Sequence, residues 1–137
     1  MKSLKKPLVL FTSSALASAA LLLGCGSDQP DYCDKVDTLQ DSISALTSIE
    51  IEAGVIDTVK TDLETVQTDA EAAVDAAQSD FPSETSDLED SIDTASESIE
   101  DLPSSPSAPE IAAVALNVSA VANAAQSFEE AASSACD

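Results

Sequence analysis

The sequence predicts an all-α fold: an antiparallel up-down-up-down four-helix bundle closed by a disulfide joining helix 1 and helix 4. Three observations predict it. Apolar residues recur at alternating steps of three and four in four separate runs, and Gly, Pro and Ser punctuate the gaps between them. Two of the three cysteines, Cys33 and Cys136, flank the whole periodic region. No strand-like alternation competes, and 137 residues suffice for one domain.

Before the first run lies a segment of different character. Lys2, Lys5 and Lys6 precede an uncharged apolar stretch from Leu8 to Leu23, ending in Leu22-Leu23-Gly24-Cys25. A basic start, a short apolar body and a small residue at the cut site predict an export signal over residues 1–24. The stretch is short for a spanning helix, which needs about 20 residues; an uncleaved N-terminal anchor is the alternative. Leu22-Leu23-Gly24-Cys25 resembles the lipobox of bacterial lipoproteins, although Leu23 stands where that family more often has a small or β-branched residue. The resemblance implies removal of 1–24 and a covalent lipid, palmitate included, on Cys25. With two or more acyl chains such an anchor is stable. The resemblance covers only the signal and Cys25; the residues that follow read as a tether over 25–30 and an acidic helical bundle over 31–137. The acidic helical chain resembles the small lipoproteins of unknown function of high-GC Gram-positive bacteria. In a Gram-negative cell, Gly26 would be compatible with outer-membrane sorting.

The four runs follow in order. Tyr32, Val36, Leu39, Ile43 and Leu46 predict a helix over 30–47. Ile56, Val59, Leu63, Val66, Ala70, Ala73 and Ala77 predict one over 54–80. Leu88, Ile92, Ala95, Ile99 and Leu102 predict a third over 83–102, with Ser86 and Glu89 as a capping box. Ile111, Val114, Val118, Val121, Ala125, Phe128, Ala132 and Ala135 predict a fourth over 108–135, opened by a Ser107–Glu110 capping box with Pro109 in the permissive first turn. With short loops, an even number of antiparallel helices returns the end of the fourth beside the start of the first. Cys33 then meets Cys136 in an export compartment that permits disulfides; two free thiols are the alternative. The bridge would close a loop of about 104 residues, worth about 4.7 kcal/mol by chain entropy. Tyr32 is expected to pack at the disulfide end. That end, the chain termini and the 80–83 connection would share the membrane pole, with 47–54 and 103–107 pointing away. The nineteen Ala residues after Cys25 favour helix but bury little area each, which argues against a large internal cavity for a cofactor.

Charge narrows the function classes. The chain carries 26 acids, five Lys and no Arg or His, a net charge of −21; without residues 1–24 only Lys35 and Lys60 oppose the acids, giving −24. Nucleic-acid binding, which needs phosphate neutralisation, is excluded. The commonest general base and metal ligand is absent, and with it any Ser-His nucleophile arrangement, so no enzyme is expected.

Two surfaces remain as candidate sites. Glu89, Asp93, Glu97 and Asp101 repeat at i, i+4, flanked by Asp87, Asp90 and Glu100, with no base in that helix. Such like-charge pairs cost about 0.2–0.5 kcal/mol each. The stripe reads either as a solvated face, including salt adaptation, or as a weak site for divalent cations or a basic partner. A straight stripe does not converge six oxygens, so no high-affinity metal site is expected. The fourth helix has no charge from Ile111 to Phe128, yet Asn117, Ser119 and Asn123 make it too polar to span a membrane. Ala113, Leu116 and Ala120 fall on its outward side, a candidate face for a partner helix or a second copy; deeper wrapping of this helix by its neighbours is the other reading. The expected function is a membrane-anchored, extracytoplasmic, non-enzymatic interaction or structural module of the cell envelope, with no cofactor beyond the lipid on Cys25. The alternative is an extracytoplasmic lipoprotein binding a small ligand or divalent cation.

Overall fold

The computed structural model describes residues 29–136. The predicted export signal, Cys25 and Gly26 lie outside the described residues. Every regular element among the described residues is helical. In chain order they are α1 (Tyr32–Thr47), a single 3-10 turn (Ala53–Val55), α2 (Ile56–Ala77), α3 (Pro82–Glu100) and α4 (Ala108–Cys136). α1 packs on α2 and α4, and α3 packs on the same two helices, so the fourth helix returns to the first.

The core is the set of seams the spacing predicts. Val36, Leu39 and Leu46 of α1, Val59 and Val66 of α2, Leu88 and Ile92 of α3, and Val114, Val121 and Phe128 of α4 are all buried. Their 3-4 spacing keeps one stripe of each helix on one side, and burying that stripe drives assembly. Ser and Thr, poor helix formers, are accommodated by back-bonding: the hydroxyls of Thr38, Thr61, Thr94 and Ser119 each donate to the carbonyl four residues earlier, at 2.8–3.0 Å. Among the described residues, no buried side-chain polar atom lacks a hydrogen-bond partner.

Cys33 and Cys136 form the predicted disulfide, with Cα atoms 5.6 Å apart and 103 residues of separation. It joins the first turn of α1 to the last residue of α4. Beside it the Gln29 side-chain amide donates to the Cys136 carbonyl, so the chain arrives at the C-terminal end of α4. Tyr32, also buried, sets its ring edge-on to Phe81 at 5.6 Å, and Phe81 meets Phe128 at 6.2 Å. These three rings are all the aromatic side chains of the described residues. Phe81 therefore brings the α2–α3 connection to the end that holds the disulfide.

Several boundaries differ from the sequence prediction. The capping box at Ser86 and Glu89 does not form. α3 begins at Pro82, one residue before the predicted start and four before Ser86, and the fixed φ and missing N–H of Pro82 suit a first turn. The Phe81 carbonyl receives both the backbone N–H of Thr85 (3.0 Å) and its hydroxyl (2.8 Å), and Thr85 is buried. α2 ends at Ala77 rather than residue 80, because the Ala77 carbonyl takes the N–H groups of Asp80 and Phe81, turning the chain so that Phe81 enters the core. α3 stops at Glu100, leaving Leu102 as a half-buried residue of the following loop. At the end of α4 Ala135 is exposed, and the bonded Cys136 takes the inward position.

The Ser107–Glu110 box does form. The Glu110 carboxylate accepts the Ser107 N–H and hydroxyl, both at 2.7 Å, and these bonds hold its pKa below the ordinary carboxylate value. α1 has 16 residues and α4 has 29, so α1 leaves the N-terminal part of α4 uncovered. Ile49, Ile51 and Val55 of the connection after α1 pack against the core.

Phe81→Ala removes a ring held between two others and is expected to lower the unfolding free energy by about 2–4 kcal/mol in urea denaturation. Leu116→Ala, on the exposed side of α4, is expected to change it by less than about 0.5 kcal/mol. Equal effects would mean that the two side chains are packed alike.

Candidate functional site

Two faces of opposite chemistry cover the bundle. On α3, Glu89, Asp93 and Glu97 are exposed on one line, and Asp101, exposed just past the helix end, continues it. Asp87, Asp90 and Glu100 are exposed beside them. α2 adds a carboxylate that the linear pattern does not reveal: Glu71 borders the same shallow groove as Glu89, Asp90 and Asp93, on a floor of Ala70 and Ile92. The carboxylates follow the helix axis rather than closing on a point. Among the described residues no three Cys, Asp or Glu side chains come together in a way that could hold a metal ion.

The outer face of α4 carries no charge from Ile111 to Phe128. Ala113 and Ala120 are exposed, as the sequence predicts, and Leu116 is 72% exposed. Its four neighbours on that face, Ala112, Ala113, Ser119 and Ala120, are small and exposed. The inward seam of the same helix, including Val114, Val118, Val121, Ala125 and Phe128, is buried in the core. By length and composition alone this helix is apolar enough to cross a membrane, despite the polar residues on which the sequence reading relied. Its inner seam, however, is packed against α1 and α3, and its last residue is bonded to α1.

Where α4 outruns α1, Ile51 and Ala53 border a shallow apolar depression with Pro106, Ala108, Ile111 and Ala112. The exposed Glu52 also borders it, so a carboxylate edges the uncharged helix face at the end remote from the disulfide. A second groove, of about 350 Å³, runs between α1 and α4. Val36, Leu39 and Ile43 form its floor, and Gln40 crosses its rim to donate to Glu129 at 2.9 Å. It is a seam between packed helices bridged by side chains. Another surface link joins α1 to α2, where the Ser42 hydroxyl donates to the Asp69 carboxylate.

Comparison with known proteins finds no matching family model, no matching curated protein and no matching solved structure.

If the α3 stripe is a solvated face, salt should raise the melting temperature by screening alone. NaCl and CaCl₂ at equal ionic strength are expected to give the same shift in circular-dichroism melts. A response to millimolar Ca²⁺ that NaCl does not reproduce would establish a cation site.

Proposed function

We propose that this chain is a non-enzymatic interaction module of the cell envelope, lipid-anchored through Cys25 and exposed on the extracytoplasmic side. The observation that carries the proposal is the outer face of α4: an uncharged, exposed helix surface with Leu116 at its centre, on a chain with 26 acids. An exposed apolar face on a soluble domain is the feature that contact with another molecule explains. The Cys33–Cys136 disulfide supports residence outside the cytoplasm, since such bonds persist in oxidising compartments. The basic, apolar, small-residue order of residues 1–25 supports export and lipidation.

In this reading the helices run up, down, up and down as an antiparallel bundle. Two sets of contacts support it: Phe81 of the α2–α3 connection against Tyr32 and Phe128 near the disulfide, and residues 51–53 beside Pro106 and Ala108 at the other end. The tether, the disulfide and the α2–α3 connection then share the pole next to the membrane. Cys33 lies eight positions after Cys25, a reach of at most about 28 Å, which keeps the bundle close to the lipid surface. Binding of a small ligand or divalent cation is the weaker reading, because the α3 carboxylates are exposed and spread along an axis.

Growth with a clickable palmitate analogue tests the anchor. The wild-type chain is expected to carry label and to sediment with membranes. Cys25→Ser is expected to lose the label entirely and to be no longer processed as a lipoprotein. Label retained in that variant would refute the assignment of Cys25.

A further inference from the structure

We propose that the outer face of α4 pairs with α4 of a second copy of this chain, side by side and in parallel, on one membrane; the proposal rests on the lipid-anchored reading above. α4 carries two seams. Val114, Val118, Val121, Ala125 and Phe128 form the inner one and are buried. Ala113, Leu116, Ala120, Asn123 and Ser127 form the outer one, with steps of 3, 4, 3 and 4, and all five are exposed. The outer seam thus has the spacing of a two-helix contact, with no partner inside the fold.

Charge selects the partner. A basic protein would be drawn to the carboxylates of α3, not to a face without any. A second copy is repelled by those carboxylates and approaches most closely along Ile111–Phe128, a helix stretch that carries none of its own and is edged by Glu52 only near Ile111, Ala112 and Ala115. The chain outside the structure sets the direction. Gln29 bonds to the Cys136 carbonyl, so the segment leading back to Cys25 leaves from the C-terminal end of α4. Its four remaining residues span at most about 14 Å. Two copies anchored in the same leaflet therefore both turn that end of α4 to the membrane, and the helices run parallel.

In a parallel pair each seam residue meets its counterpart. Leu116 against Leu116 is the apolar layer, and Ala113 and Ala120 let the backbones close around it. Asn123 against Asn123 is a polar layer of the kind that fixes register in two-stranded pairs. Beyond Ser127 the exposed Glu130 would face its own copy, which confines the contact to about four helical turns. That is small beside the roughly 800 Å² per partner of a stable interface, so the pair depends on confinement to the membrane, which raises the effective concentration.

The test uses the full chain in native envelopes, carrying Leu116→Cys, Asn123→Cys or, as an off-face control, Thr65→Cys, with a short bifunctional thiol crosslinker and the palmitate label read in the same samples. Same-residue dimers at both 116 and 123, with none at 65, are expected. An antiparallel pair brings a residue to its counterpart at one level only, so both crosslinks together report the parallel register. Leu116→Glu added to Asn123→Cys should abolish the dimer while leaving the helical circular-dichroism spectrum intact. Labelled, membrane-bound chains that stay monomeric, that crosslink at only one of the two positions, or that crosslink only to a different protein would overturn the pairing while sparing the anchor. Absence of label with a soluble chain would overturn both, and the label distinguishes that failure from the other.

Discussion

The bond between Cys33 and Cys136 is the constraint on which the rest of this structure depends. It joins the first turn of α1 to the end of α4 across 103 residues, so the set of helices is closed covalently as well as by packing. Two weaknesses make that closure matter. Much of the core is Ala and Val, which bury less apolar area than Leu, Ile or Phe. The surface carries carboxylates with few bases to offset them, and their mutual repulsion favours expansion. A crosslink over so long a loop acts chiefly on the unfolded chain, removing the expanded conformations that repulsion would otherwise favour.

Charge and apolarity are segregated onto different helices. The helix with the densest carboxylates, α3, buries only a narrow stripe, whereas the helix with the longest uncharged run, α4, leaves much of its apolar length uncovered. A chain selected only to fold would bury its most apolar helix and expose its most charged one on every side. The exposed α4 face is therefore the part of the surface that folding does not explain. It lies on the helix whose C-terminal end receives Gln29.

Much of this architecture was legible in the spacing of apolar residues, because a seam with period 3.6 needs only residue types to be recognised. Leu39, Val66, Ile92 and Val121 are inward for that reason. The disulfide was legible because an even number of antiparallel helices would bring the two terminal cysteines to one end, so each expectation supported the other. The connections were less so. Phe81 sits in a loop with no periodicity, and only its stacking between Tyr32 and Phe128 reveals it as core. Ser86 and Glu89 match a capping box locally, but Pro82 and the Phe81 carbonyl open the helix a turn earlier. Ile49 and Ile51 are inward because α1 is shorter than α4, a mismatch that appears only when helix lengths are compared. Of the sites, the exposure of Ala113, Leu116 and Ala120 followed from the heptad, whereas Glu71 joined the α3 carboxylates only through the packing of α2 on α3.

Urea unfolding of the domain with and without a reductant, at low and at high NaCl, probes the closing bond most directly. Reduction is expected to lower the unfolding free energy by about 4–5 kcal/mol at low salt, or to unfold the domain outright if its total stability is smaller. High salt should return part of that loss, since screening relieves the repulsion the bond restrains. Unfolding midpoints that are the same in oxidised and reduced protein would show that packing alone holds the helices together.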